Sequence, residues 1–178
     1  QYYVDPKPVP EERIEGIEGG DELDLGDRTV DVIHAPGHAP HQVVFHDRAT
    51  DVLFSGDAGG IRPGSDDDLF PTSPPVNFDL EACLADAETI AERNPAYICF
   101  GHFGHAAFSP DLMAEYGDVL TAWVERVREK RAELDDDEAV LEYFAETAET
   151  VEPWGERKTR AENRLNVKGV LGYLDERD

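Results

Sequence analysis

A chain of 178 residues with a 40% hydrophobic fraction and two tryptophans carries enough apolar material for one domain with a substantial core. Its net charge of −24, from 40 acidic against 16 basic side chains, excludes a phosphate-backbone binder, so no nucleic acid is expected as a partner. No apolar run approaches the length of a membrane span and no secretory signal pattern opens the chain, so the expectation is a cytoplasmic protein with no membrane partner.

In chain order, residues 1–12 are polar and Pro-rich and read as an exposed arm, with Tyr2, Tyr3 and Val4 as the remnant of a strand whose partners lie upstream. Residues 15–27 mix Gly and acid, with Ile17, Leu23 and Leu25 alternating as in a short strand and its turn. Alternation is cleaner over 29–34, a strand that runs into a Pro36-Gly37 turn. Two short β-branched and aromatic runs follow, 42–47 and 51–55, each reading as a buried strand. Asp47-Arg48-Ala49-Thr50 between them supplies hairpin chemistry. Antiparallel pairing of these strands brings His38, at the entrance of the first, to the end where the second delivers Asp57. His46, within the first, is expected to face solvent. Gly37 and Gly56 stand immediately before His38 and Asp57, where positive φ or a close backbone approach would be needed.

Residues 58–78 form a long connection with little regular structure, and Arg62 is its only cation. The spacing of Leu80, Leu84, Ala87 and Ile90 predicts a sheet-covering helix over 79–93, ending at Asn94-Pro95, with Cys83 packed on its stripe. Residues 96–100 read as a buried strand delivering Gly101-His102. Beyond Ser109-Pro110, an N-cap and first-turn pair, the chain turns helical: 111–134, a second helix after the break at Asp135-Asp136-Asp137, a Pro153-Trp154-Gly155 turn, and a last helix over 158–174. Cys83 and Cys99 make no disulfide framework, which fits a reducing compartment. Four Lys among 16 basic residues, under such an acid surplus, resemble a halophilic style of surface.

An imidazole at 38, a carboxylate at 57 and a His-rich turn at 101–105 are donor types that suit zinc, and also iron or manganese. The run HAPGHAPH, followed by LFSGDA and later by ICFGHFGH, resembles the second half of the metallo-β-lactamase superfamily. The resemblance implies that His38 is the single His ligand of a first metal, that Asp57 bridges two ions as the catalytic carboxylate, and that His102 is the last ligand of the second. His34, His41, Arg62 and His105 stand as candidates for supporting or substrate-lining roles, with His105 competing against His102 for the ligand position. The family's upstream His-x-His-x-Asp-His signature is absent here. The expectation is therefore a C-terminal part of a longer protein, inactive when it stands alone. Its partners would be a small-molecule substrate and either the missing N-terminal half or a second copy of itself in a homo-oligomer.

The implied fold class is α/β, the C-terminal half of an αβ/βα sandwich followed by a helical C-terminal extension. Expected boundaries are an arm over 1–28, the half-sandwich over 29–108 and the extension over 109–178. The implied chemistry is a two-zinc hydrolase in which metal-activated water attacks a small ester or thioester. Two alternatives are an iron-dependent oxidoreductase of the same fold and a non-catalytic structural or oligomerisation fragment. A half-sandwich also leaves one sheet face open unless a partner, a second copy or the C-terminal helices cover it.

Overall fold

The computed structural model describes residues 7–63, 69–74 and 77–177. The expected strand remnant at Tyr2, Tyr3 and Val4 lies outside the described residues. Six strands form one sheet in chain order: β1 (Glu22–Asp24), β2 (Thr29–His34), β3 (Val43–Asp47), β4 (Val52–Gly56), β5 (Tyr97–Phe100) and β6 (His105–Ala107). Every neighbouring pair is antiparallel except β4–β5. Between those two runs α1 (Leu80–Arg93), the kind of crossover a parallel pair requires. The Asp79 carboxylate caps α1 by accepting from the Ala82 amide at 2.8 Å, and Asn94 ends it in the left-handed conformation ahead of Pro95.

Strand alternation sorts the sheet into two faces. One carries Ile33, Val44, Leu53 and Ile98, all buried, with Ile33 opposite Val44 and Leu53 opposite Ile98. Cys83, Ala87 and Ile90 of α1 and Tyr116, Leu120 and Val124 of α2 (Pro110–Leu134) close over that face. Each such aliphatic side chain contributes roughly 1.5–3 kcal/mol by burial, so this stripe holds α1 on the sheet. The other face pairs Phe45 with Phe54 and Phe54 with Cys99, and leaves Phe54 46% and Tyr97 48% exposed. The C-terminal helices thus pack on the α1 side, and the opposite face is covered at Val30 and Val32 of β2 but open at Phe54 and Tyr97 of β4 and β5.

His46 departs from expectation: it is buried, and its ring meets the Asp51 carboxylate at 3.2 Å. The cause is parity. Val44 points into the core, and a residue two further along a strand points the same way.

The helical part consists of α2, α3 (Asp137–Glu146) and α4 (Gly155–Asp175). Asp136 caps α3 by accepting from the Glu138 and Ala139 amides. Ser109 stands at the N-cap of α2 without a side-chain cap bond, so Pro110 at the first turn marks that boundary alone. Helix α4 starts at Gly155 rather than 158, taking in the end of the expected turn. Val127, Val140, Phe144, Val167, Val170 and Leu171 continue the sheet core into the helices without a break. Among the described residues no helix is long and apolar enough to cross a membrane.

Candidate metal centre

The ends of β4 and β5 lie side by side, with Gly56 opposite Phe100 and the Gly101 amide donating to the Gly56 carbonyl at 2.9 Å. Asp57 and His102 leave these two ends next to each other. The hairpin of β3 and β4 brings His38 to the same place, as the sequence pairing required. His38 Nε2 lies 3.5 Å from Asp57 Oδ2, and His102 Nε2 lies 3.4 Å from Asp57 Oδ1. One carboxylate therefore stands between two imidazoles and presents one oxygen to each.

The two glycines before these residues serve different needs. Gly56 has φ +54°, a left-handed turn that redirects the chain at the strand end. Gly37 packs directly on α1, where an added Cβ would meet the Cys83 backbone nitrogen at 2.2 Å. The same residue is bonded to the helix on both sides. Its amide donates to the buried Asp86 carboxylate at 2.7 Å, and its carbonyl accepts from the Asp79 amide at 3.0 Å. His38 is thus carried on a corner clamped to α1.

Sequence reasoning missed Asp86. Its signal was an acid on the buried stripe of a helix, 5% exposed beside Cys83, Ala87 and Ile90. Burial pushes the Asp86 carboxyl above its ordinary range, against the Gly37 amide and the His34 ring, which pull it down. A raised acid pKa means that the folded state holds its proton longer than the unfolded chain. Stability from this group is then greatest below the ordinary Asp value and falls as pH rises toward the raised one. Asp86→Asn keeps an acceptor for Gly37, so it should change the urea midpoint little and flatten that slope. Asp86→Ala orphans the amide and should cost roughly 1–3 kcal/mol. Equal losses in both variants, read by urea titration at several pH values, would rule out the hydrogen bond as the cause.

The other expected site residues fall as follows. His34 Nε2 lies 2.9 Å from the Pro40 carbonyl and so ties the two ends of the turn that carries His38. His41 is exposed ahead of β3. Arg62 is half-buried beside the Ile61–Phe70 bridge. His105 begins β6 opposite Cys99, and its ring lies against Tyr97 at 6.5 Å, on the open sheet face rather than beside Asp57. Thr72 was not anticipated. Its hydroxyl donates to the Asp57 carbonyl at 2.8 Å and meets the Tyr116 hydroxyl at 3.0 Å, which fixes the chain just beyond the strand end. Phe103, after His102, sits at φ +61°, a conformation that costs a non-glycine residue roughly 1–3 kcal/mol.

Do these side chains suit a metal? Asp57 Oδ1 is buried without a hydrogen-bond partner. Both histidine–carboxylate separations exceed the 2.7–3.2 Å of an ordinary hydrogen bond. Two donors at about 2.0–2.1 Å from one tetrahedral zinc lie roughly 3.3–3.4 Å from each other, which matches these separations. Burial also lowers the His38 pKa, opposed by the Asp57 charge and the Thr72 backbone, and so favours the neutral, metal-binding form of the ring. Among the described residues no three His, Cys, Asp or Glu side chains close round a single point. The arrangement is two donor pairs sharing one carboxylate.

A model of the metallo-beta-lactamase superfamily matches residues 1–102. The chain belongs to the metallo-beta-lactamase superfamily. The metallo-beta-lactamase fold-containing protein ST1585 of Sulfurisphaera tokodaii is 32% identical over 118 residues, which cover 65% of this chain and 42% of that protein. The acyl-coenzyme A thioesterase MBLAC2 of Gallus gallus is 41% identical over 96 residues, covering 54% of this chain and 33% of the relative. In solved structures, the fold matches ST1585 with TM-score 0.62 at 22% identity, over 96% of this chain and 55% of that one. It matches the family protein TTHA1429 of Thermus thermophilus with TM-score 0.63 at 19% identity, over 97% and 50%. The chain thus spans about half the length of the solved superfamily members, and less of the curated ones.

Proposed function

We propose that the protein containing this chain is a metal-dependent hydrolase, with zinc as the metal and an acyl ester or thioester as substrate. The observation that carries this reading is the Asp57 carboxylate shared between His38 and His102 at the ends of adjacent strands. Membership of the superfamily and similarity to proteins named acyl-coenzyme A thioesterases, in Gallus gallus, Bos taurus and Homo sapiens, support it.

His38 and Asp57 would hold one ion, His102 and Asp57 the other. When bound, such an ion activates water near neutral pH and polarises an acyl carbonyl. Asp57 supplies the shared negative charge, and the clamp of Gly37 on α1 fixes the direction of the His38 ring. Catalytic zinc usually takes three protein ligands, and this chain offers two to each position. We place the remaining ligands outside it, on an upstream segment or a second copy covering the open sheet face. Elemental analysis after purification, with thiol release from an acyl thioester followed alongside, tests the reading. Zinc bound in the wild type and lost in His38→Ala is the expected result. A metal-free wild type that releases no thiol even with the upstream half supplied would overturn it.

A further inference from the structure

A cavity of about 380 Å³ opens between α2, α3, α4 and the segment around Phe70. Phe70, Pro71, Trp123, Phe144, Val151 and Trp154 form an apolar side of the cavity that includes both tryptophans of the chain, and Thr147, Glu149, Glu162, Asn163 and Asn166 form a polar side. Two separate links join these walls to the Asp57 cluster. Thr72 holds the Asp57 carbonyl at 2.8 Å, and Pro71 and Phe70 precede it on the same segment. On the other side Phe103, the neighbour of His102, packs its ring 5.8 Å from that of Trp154.

The wall is formed in advance. The Trp123 indole donates to Ser73 Oγ at 3.0 Å, and the Ser73 amide donates to Asn166 Oδ1 at 2.8 Å, so the segment is bonded to α2 and α4 at once. Pre-formed concavities that set an apolar side against a few polar groups, beside a reactive centre, are where small ligands bind.

We propose that this cavity receives the hydrocarbon tail of the acyl group whose carbonyl is attacked at the Asp57 cluster; this rests on the acyl-hydrolase reading above. Charge selects the tail over the other end of such a substrate. Glu149 and Glu162 line the cavity, Glu162 paired with Lys158, and Arg126, the one cation in the lining among the described residues, lays its guanidinium over the Trp123 and Phe144 rings. The cavity offers no surplus of positive charge to a phosphate-bearing leaving group, and the chain as a whole, at net charge −24, repels one.

Both indoles report on the cavity, so fluorescence titration of the 178-residue chain, with no metal added, tests the proposal directly. The probes are straight-chain carboxylates of increasing length and decanoate brominated at its far end. Saturable quenching by the brominated tail, competed by decanoate, is expected. Affinity should rise about fourfold per methylene, the equivalent of about 0.8 kcal/mol. Ala148, half-buried on the cavity wall, is the residue to enlarge: Ala148→Phe should weaken decanoate at least tenfold and leave metal content unchanged. Quenching that never saturates, affinity that ignores chain length, or an Ala148→Phe variant that binds like the wild type would overturn the proposal. If a protein segment occupies the cavity instead, no carboxylate of any length will quench. Should Ala148→Phe fail to fold, the brominated-tail titration decides alone. No metal or turnover enters the measurement, so the two readings fail separately. Tail binding in a protein that neither takes up zinc nor releases thiol would sink the hydrolase reading and leave the cavity assignment standing.

Discussion

Gly37→Ala should be among the most destabilising single-methyl additions in this protein. The new Cβ would lie 2.2 Å from the Cys83 nitrogen, 2.5 Å from its Cα and 2.6 Å from the Ala82 carbonyl carbon. All three are helix backbone, which cannot turn aside as a side-chain tip can. The corner must lift off α1, and in lifting it loses the Asp86 and Asp79 bonds that hold it. Overpacking of about 1–3 kcal/mol plus one or two broken buried hydrogen bonds gives a loss of roughly 3–5 kcal/mol. A domain of this size holds about 5–15 kcal/mol in all, so much of its margin would go. Gly172→Ala is the matched control. That glycine lies within α4, nothing stands within 4 Å of an added Cβ, and alanine there should stabilise by up to about 1 kcal/mol. The two variants should therefore move the urea midpoint in opposite directions. A Gly37→Ala midpoint within error of wild type would mean that the corner is free of the helix.

The clamp shows what a linear reading reaches and where it stops. Strand β2, the β3–β4 hairpin and α1 with its Asn94 stop were legible because local chemistry states them: alternation, a polar turn, an apolar stripe at helical spacing, an Asn-Pro terminator. Antiparallel pairing of β3 and β4 predicted that His38 meets Asp57, while His102 was expected from the family resemblance and is delivered by the parallel β4–β5 pair. Strand β6 escaped because three residues, His105–Ala107, carry too short a pattern to stand out beside a His-rich turn. His46 was misplaced although Val44 had already fixed its face. Asp86, Thr72 and the aromatic cavity depend on contacts between segments 15 to more than 40 residues apart, which no local pattern encodes. Asp86 alone left a trace, as an acid where the stripe demanded an apolar side chain.

Asp57→Ala separates a shared carboxylate from a merely neighbouring one. The fold has little reason to need this side chain. Its Oδ1 is buried without a hydrogen bond, while the Asp57 backbone carbonyl, which the substitution leaves in place, accepts from Thr72 and from the Gly60 amide. Removing an uncompensated buried acceptor should leave the urea midpoint unchanged or raise it. Metal binding should respond in the opposite sense. If Asp57 serves both donor pairs, its loss leaves each position a single imidazole, and affinity should fall at both by more than the 10–100-fold typical of removing a partner that only supports a ligand. His102→Ala, by contrast, strips one pair and leaves His38 and Asp57 together, on the more buried side, with His38 15% and His102 55% exposed. Calorimetric zinc titration of the two variants should accordingly show no tight binding in Asp57→Ala and one surviving site in His102→Ala. The same residual stoichiometry in both would assign Asp57 to one position only and remove the case for a bridge.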